Sequence, residues 1–183
     1  MKYERVEKAE FLLRENRFVA KVIKGGKEET VHVKNTGRCK ELLVPGATVY
    51  LSVSDNPGRK TKYDLVAVEK KREGRETLLI NMDSSAPNDA VSEWLEKSGL
   101  FPDGAVIRRE VTKGKSRFDF AVEYQNTVSY VEVKGVTLEE NGRVMFPDAP
   151  TERGVKHVNE LCSLVKGGIK CFVIFKLEVM ITM

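Results

Sequence analysis

The sequence predicts an α+β protein of two domains, a small β-barrel followed by an α/β domain. Short strand-like runs separated by turn residues occupy residues 1–83, whereas residues 84–183 also contain two stretches of helical periodicity. The polar stretch at residues 83–87 (D-S-S-A-P) separates the two patterns and sets the predicted boundary. A chain of 183 residues is long enough for two domains of this size.

The first domain is predicted to hold five strands and one short helix. The strands cover residues 17–23, 29–33, 48–53, 63–71 and 76–82, and Gly25-Gly26 marks a hairpin between the first two. The helix covers residues 37–43 and ends before Pro45-Gly46. Five short strands with one small helix are typical of an OB-like barrel, a fold that often binds nucleic acid.

The second domain is predicted to run helix, three strands, helix, strand. The helices cover residues 88–99 and 151–166, and the strands cover residues 105–111, 117–124, 128–134 and 170–175. The apolar residues that recur with helical spacing in the second helix are Val155, Val158, Leu161, Cys162 and Val165. This order of elements is the core of the PD-(D/E)xK nuclease-like α/β domains.

Two adjacent strands of this domain carry the strongest candidates for catalysis. Alternation in residues 117–124 places Asp119 on the face opposite the apolar side chains Phe118, Phe120 and Val122. Glu132 and Lys134 share one face of the next strand. A tight turn at Gln125-Asn126 pairs Tyr124 with Thr127 and thereby sets Asp119 opposite Glu132.

These residue types suit a metal-dependent phosphodiesterase. Facing residues of two strands have Cβ atoms about 5 Å apart, so Asp119 and Glu132 can share one Mg²⁺ or Mn²⁺ ion as its ligands. Lys134 then orients or activates the attacking water. Asp119, Glu132 and Lys134 are the predicted catalytic residues. The alternative is that all three charges lie on a solvated face of the sheet.

Three further residues are candidates for the same site. Glu110 ends the preceding strand, where it either adds a ligand or forms a salt bridge at the strand edge. Asp148 can add a carboxylate from a connector stiffened by two prolines. His157 lies at the polar edge of the second helix, where it either acts on a proton or a phosphate or has a structural role.

Five basic residues are predicted DNA contacts. Arg38, Arg59 and Lys60 lie in loops of the first domain beside turn-forming residues. Arg153 and Lys156 lie in the first turns of the second helix, whose N-terminus attracts phosphate. The accompanying rings are few and mostly expected in the core: Phe18, Tyr50 and Tyr63. This composition favours contacts with the DNA backbone over reading of its bases.

Composition and charge narrow the class of protein. The chain is 41% hydrophobic and 32% charged, and it has no apolar run that could span a membrane. Its charged start does not resemble a signal peptide, so we expect a cytoplasmic protein without membrane contact. Three dispersed cysteines fit neither a disulfide framework nor a zinc site. Residues 1–83 hold 18 basic and 13 acidic residues, an excess that suits a polyanionic partner.

Several strings in the chain together resemble the sugar fermentation stimulation protein A (SfsA) family. They are V-H-V-K-N-T-G-R (31–38), E-L-L-V-P-G-A (41–47), R-K-T-K-Y-D-L (59–65), G-K-S-R-F-D-F (114–120), V-E-V-K (131–134) and F-P-D-A-P-T-E-R-G-V-K-H (146–157). The resemblance implies an OB-like domain joined to a nuclease-like domain, DNA binding, and a link to sugar (maltose) metabolism genes. It also matches Asp119, Glu132 and Lys134 to the nuclease-type positions of the family.

Three functions remain open on the sequence alone. The first is DNA binding with Mg²⁺-dependent phosphodiester cleavage. The second is a non-catalytic DNA-binding regulator of sugar (maltose) metabolism genes, and the third is a protein-interaction module whose basic half meets an acidic partner. The SfsA family usually continues beyond the point where this sequence stops. We therefore expect the apolar side of the last strand to be exposed or buried in a homodimer.

Overall fold

The computed structural model describes residues 2–35, 37–147 and 151–181. In chain order the strands and helices are β1 (Val6–Arg14), β2 (Val19–Lys24), β3 (Lys27–Val33), β4 (Thr48–Val53), β5 (Tyr63–Arg72), β6 (Arg75–Asn81), α1 (Ala86–Leu95), β7 (Val106–Lys113), β8 (Ser116–Tyr124), β9 (Thr127–Val136), β10 (Leu138–Glu140), β11 (Arg143–Met145), α2 (Glu152–Lys166), β12 (Cys171–Leu177) and β13 (Val179–Ile181). Neither described helix has the length and apolar character that crossing a bilayer requires.

The chain divides into two compact units. Unit 1 comprises Met1–Ala86, Thr137–Asp148 and Leu177–Met183, and unit 2 comprises Pro87–Val136 and Ala149–Lys176. The first crossing lies close to the boundary predicted after residue 83. After this boundary the chain returns to unit 1 twice. The first return carries the β10–β11 hairpin, and the second carries β13, which pairs with β6.

Unit 1 is built on a closed five-stranded barrel. Its strands are hydrogen-bonded in the order β5-β3-β2-β1-β4, and β4 pairs back onto β5 to close the ring. Only the β3–β5 pair of this ring is parallel among the described strands. Alternate side chains point inwards and fill the barrel, among them the fully buried Phe11, Val22, Val31, Leu51 and Leu65. The closure confirms the predicted OB-like barrel.

The segment after β3 differs from the prediction. Residues 37–43 form turns, so the helix predicted there is wrong. Cys39 has a φ of 44°, which a right-handed helix does not accommodate. The carbonyls of Gly37 and Arg38 also accept hydrogen bonds from the Arg14 side chain, whereas a helix would pair them with its own N–H groups.

Unit 2 is a four-stranded sheet, in the order β12-β9-β8-β7, with a helix on each face. On β9, Val131 packs in the cluster that contains Leu95 of α1, and its neighbour Tyr130 packs in the cluster that contains Leu161 of α2. Successive strand residues point to opposite faces, so the two helices cover opposite sides of the sheet. The predicted order of helix, three strands, helix and strand is present, with the β10–β11 hairpin of unit 1 inserted before α2.

Strand β8 departs from regular alternation at Asp119. Phe118 packs in the cluster that contains Leu161 of α2, whereas Phe120 packs in the cluster that contains Leu95 of α1. The prediction that these two side chains share one face of the sheet is therefore wrong. The register with β9 runs as predicted, from the turn to the pair Phe120–Val131, and stops before Asp119. The register with β7 omits Asp119 as well. On β7 the omitted residue is Glu110, which has a φ of 57°. The backbone is irregular on both sides of Asp119.

Much of the apolar surface predicted for α2 is exposed. Of the five residues in the predicted stripe, only Leu161 is buried, and the other buried residue of the helix is His157. On β12, Phe172 and Ile174 pack in the core, while Val173 and Leu177 are exposed.

Candidate active site

Asp119 is held from two sides at the irregular point of β8. Its Oδ1 accepts a hydrogen bond of 2.8 Å from Nδ2 of Asn88 on α1, and its Oδ2 accepts one of 2.7 Å from the backbone N–H of Val133. A regular antiparallel ladder would pair that N–H with a backbone carbonyl. The carboxylate is thus built into the hydrogen bonding of the sheet, which fixes its direction.

Glu132 is a buried carboxylate on β9, with 3% of its surface exposed. Its Oε1 accepts hydrogen bonds from Nζ of Lys134 at 2.5 Å and from Nδ1 of His157 at 2.6 Å. Its Oε2 is buried and has no hydrogen-bond partner within the described part of the chain. Burying an acceptor without a donor costs about 1–3 kcal/mol, and more for a charged group. Oε2 is therefore the atom of this site that is suited to a cation.

His157 enters the site from α2. The hydroxyl of Thr151 accepts a hydrogen bond of 3.1 Å from the N–H of Gly154 and so caps the helix. His157 follows in the second turn, buried, with its ring edge against Phe118 and the two centroids 6.4 Å apart. The structure thus brings this additional candidate directly to the predicted catalytic glutamate.

The surroundings of Asp119 raise the pKa of its carboxyl group. Burial raises the pKa of Asp119, and the negative charge of Glu132 raises it further. Hydrogen bonds from Val133 and Asn88 and the positive charge of Lys134 oppose this rise in pKa without cancelling it. The ionised form of Asp119 is therefore disfavoured in the folded protein, and a cation bound beside it would offset the negative charge of Glu132.

The available ligands suit a hard cation that needs few protein groups. Across residues 2–35, 37–147 and 151–181, no three His, Cys, Asp or Glu side chains form a cluster that could hold a metal by themselves. Mg²⁺ is usually bound through one or two carboxylates, with water and substrate phosphate oxygens completing its shell. Asp119 and Glu132 offer two carboxylates of this kind. A zinc site needs three or four protein ligands, so this pair does not fit zinc.

The remaining candidates near the site have different positions. Glu110 forms an ion pair with Arg117, whose Nε lies 2.6 Å from Oε2 of the glutamate. Of the two alternatives that the sequence left for Glu110, the structure therefore shows the salt bridge at the strand edge. Asp148 lies outside the described residues. Arg153 and Lys156 are exposed on the first turns of α2. Their positions allow contact with a phosphate backbone.

The predicted DNA contacts of unit 1 also differ from one another. Arg59 donates to both oxygens of Asp64, at 2.7 and 2.6 Å, and His32 contacts the same carboxylate at 2.8 Å. The guanidinium of Arg59 is therefore already paired. Lys60 and Arg38 are exposed, and Arg38 lines a surface cleft of about 600 Å³.

This cleft contains residues that sequence reasoning did not identify. Its described lining contains no acidic residue and consists of Arg14, Asn16, Arg17, Gly37, Arg38, Lys40 and Leu43. Burial lowers the pKa of Arg14, although an arginine remains charged at neutral pH. The basic residues come from two segments that only the closed barrel brings together. The one local indication of this basic surface in the sequence is the pair Arg17-Phe18, which lies where a strand meets a turn.

The fold and the site together define a class of protein, an OB barrel joined to an α/β unit whose sheet carries a buried carboxylate in a Glu-x-Lys sequence. Two family models match the chain, described as "SfsA N-terminal OB domain" over residues 12–80 and as "Sugar fermentation stimulation protein RE domain" over residues 85–180. The chain therefore belongs to the sugar fermentation stimulation protein (SfsA) family, which confirms the resemblance seen in its sequence strings.

Individual relatives match most of the chain. It is 52% identical over 178 residues to a sugar fermentation stimulation protein homolog of Clostridium beijerinckii, covering 97% of this chain and 76% of the relative. It is 53% identical over 178 residues to a homolog of Desulfitobacterium hafniense, covering 97% and 75%. A solved structure, described as "The structure of Pyrococcus Furiosus SfsA in complex with Ca2+", aligns with a TM-score of 0.81 and 32% identity, covering 96% of this chain and 74% of that one.

Proposed function

We propose that this protein binds DNA and cleaves its phosphodiester backbone with a divalent cation held by Asp119 and Glu132. The observation that carries the proposal is the buried Oε2 of Glu132, which has no hydrogen-bond partner among the described residues. The other oxygen of the same carboxylate is fixed by Lys134 and His157. A fixed carboxylate with one unsatisfied oxygen, beside a carboxyl group of raised pKa, is typical of a functional site.

Binding of a divalent cation is supported by the related Pyrococcus furiosus protein, whose structure is described as a complex with Ca²⁺. Ca²⁺ and Mg²⁺ both prefer oxygen ligands such as carboxylates. The two buried or half-buried carboxylates of unit 2 offer this ligand chemistry. We therefore extend divalent cation binding to this chain as part of the proposal.

Each residue of the site has a distinct role. A bound divalent cation would supply charge neutralisation at a phosphodiester and would lower the pKa of a water molecule. Lys134 and His157 fix the carboxylate of Glu132 through Oε1 and leave Oε2 as the ligand atom. Asn88 and the Val133 N–H orient Asp119. The ammonium group of Lys134 also places positive charge where a phosphate gains negative charge during cleavage.

A second function, DNA-binding regulation of sugar (maltose) metabolism genes without catalysis, is favoured by one observation. The Lys134 ammonium group is bonded to Glu132, and both oxygens of Asp119 accept hydrogen bonds within unit 2. These three side chains therefore also act as a structural network that ties β9 to β8 and to both helices. Cleavage by the metal-loaded protein distinguishes the two functions.

The test is a cleavage assay on single-stranded, duplex and branched DNA with Mg²⁺ or Mn²⁺. Asp119→Asn and Glu132→Gln should abolish cleavage and leave DNA binding intact or tighter, because each removes a negative charge that repels the polyanion. Glu123→Gln is the matched control, since it removes an exposed carboxylate of β8 that pairs with Arg108. If the wild-type protein leaves all three DNA forms uncut with either metal, the nuclease function is refuted and the regulator remains.

A further inference from the structure

An exposed aromatic ring lies at the turn between β1 and β2. Phe18 is 51% exposed, in contrast to the core position expected for most rings of this domain. Its N–H donates a hydrogen bond of 2.8 Å to Oδ1 of Asn16, and its carbonyl accepts one of 2.8 Å from the N–H of Val33. The ring is therefore carried by a fixed backbone. A single exposed apolar residue is ordinary, so its neighbours decide its meaning.

Phe18 follows a cation, Arg17, that lines the cleft described above, although Phe18 itself is not among the described lining residues. Arg17 precedes it in the turn and lines the 600 Å³ cleft together with Arg38 and Lys40. All three side chains are exposed, and none forms an ion pair with a carboxylate of the described chain. Three exposed, unpaired cations around one cleft attract a polyanion rather than stabilise the fold.

Arg14 fixes the two walls of this cleft. Its guanidinium donates hydrogen bonds to backbone carbonyls of both walls, those of Asn16, Arg17, Asn35, Gly37 and Arg38. Carbonyl acceptors leave its positive charge uncompensated, so Arg14 adds to the potential of the cleft. The backbones that carry Arg17 and Arg38 are held before any ligand arrives, which reduces the entropy lost on binding.

We infer that this cleft, together with the ring of Phe18 next to Arg17, binds a single-stranded nucleic acid, with phosphates at Arg17, Arg38 and Lys40 and one base stacked on Phe18. The inference rests on the DNA binding in the proposed function and specifies the form of nucleic acid and the residues that hold it.

An unpaired strand is the form that fits both the ring and the cations. A duplex shows a protein its phosphates and the edges of its bases, whose faces are stacked on one another. The bases of a single strand have free faces, and each stacks on an aromatic ring with little dependence on sequence. OB barrels bind oligonucleotides partly through the loop between their first two strands, which is the position of Arg17 and Phe18 here.

The cations are tested by the salt dependence of binding. The full chain in EDTA is titrated with fluorescent oligo(dT) and oligo(rU), followed by anisotropy, over a series of salt concentrations. In Arg17→Gln/Arg38→Gln/Lys40→Gln, the slope of log affinity against log salt should flatten by about 2, since each contact on a single strand contributes about 0.7. The matched control, Lys27→Gln/Lys71→Gln/Arg75→Gln, removes the same charge from exposed positions elsewhere in unit 1.

The ring is tested separately. Phe18→Ala should weaken binding of both oligonucleotides about tenfold, which is within the range measured for single stacking residues. The salt slope should stay unchanged, because stacking neutralises no phosphate, and binding of the annealed oligo(dT)–oligo(dA) duplex should stay unchanged as well. Phe175→Ala removes a ring of similar exposure, 55%, from β12 and should leave both affinities at the wild-type value.

The outcomes separate this inference from the function on which it rests. If wild-type protein binds DNA but both cleft variants bind oligo(dT) and oligo(rU) as the wild type does, the inference is overturned and DNA binding stands. Equal flattening of the salt slope by the control triple variant, or equal losses for duplex and single strand in Phe18→Ala, also overturns it. If wild-type protein binds no nucleic acid, both fall.

Discussion

Replacing Asp119 by Asn tests whether the folded protein disfavours the ionised form of this carboxyl group when no cation is bound. The pKa of Asp119 is raised, mainly by burial, so the folded state disfavours its ionised form. The free energy of unfolding therefore decreases as the pH rises from the ordinary carboxyl pKa of about 4 through the raised value. Near neutral pH without metal, Asp119→Asn should unfold at a higher temperature than the wild type. Near pH 4 and below, this difference should disappear.

The geometry of the substitution is favourable. The amide oxygen of the new side chain can accept the hydrogen bond from the Val133 N–H. Asn88 can rotate its own amide so that its oxygen faces the new amide group, which preserves the second hydrogen bond. The change therefore removes a charge without leaving either partner unsatisfied.

A divalent cation should reverse the order of stability. A ligand that binds the folded state alone stabilises it by about 2.7 kcal/mol at a hundredfold excess over its Kd. Unit 2 has about 80 residues, and for a domain of this size each kcal/mol shifts the Tm by roughly 4–8 °C. The wild-type Tm should thus rise on the order of 10–20 °C at saturating Mg²⁺ or Mn²⁺. Asp119→Asn should show only a small part of this rise.

Thermal unfolding followed by circular dichroism, in EDTA and in increasing Mg²⁺ or Mn²⁺, measures these shifts. Glu123→Gln is the control, because its exposed carboxylate lies on the same strand and should leave the cation effect at the wild-type size. A wild-type Tm that does not respond to either cation would refute the reasoning. So would an equal cation-induced rise in Asp119→Asn.

Two further outcomes follow from the same structure. His157→Ala should weaken Mn²⁺ binding roughly 10- to 100-fold in calorimetric titrations, as the loss of groups that orient metal ligands commonly does. His157→Gln keeps a donor for Glu132 and should recover most of that affinity; equal weakening in both variants would contradict a positioning role. Phe120→Ala empties a fully buried position and should lower the free energy of unfolding by about 3–5 kcal/mol in urea titrations. Phe18→Ala, at an exposed position, is its control and should change stability little.

The parts of the fold that follow from local chemistry were predictable from the sequence. The hairpin at Gly25-Gly26 and the register that pairs Tyr124 with Thr127 are both present. A two-residue turn and an alternation of period two determine each of them without reference to the rest of the chain. In the second turn, Gln125 adopts the positive φ, at 51°.

The parts that depend on distant contacts were not predictable. Arg14 competes for the carbonyls of residues 37 and 38, and the predicted helix gives way to turns. The returns of the chain to unit 1 depend on pairing such as that of β13 with β6. The contact between His157 and Glu132 joins residues 25 positions apart, across a connector whose path the sequence does not determine.

The irregular point of β8 explains why the residues of the site were recognisable while their arrangement was not. Regular alternation would set Asp119 opposite Glu132 in an unbroken ladder between β8 and β9. In the structure its carboxylate takes the place of a backbone carbonyl as the acceptor for Val133, and Glu110 on the neighbouring strand adopts a φ of 57°. Both changes weaken the sheet locally. At this irregular point the carboxylate of Asp119 is partly buried and feels the charge of Glu132, and both effects raise its pKa, so the distortion of the strand coincides with the proposed cation site.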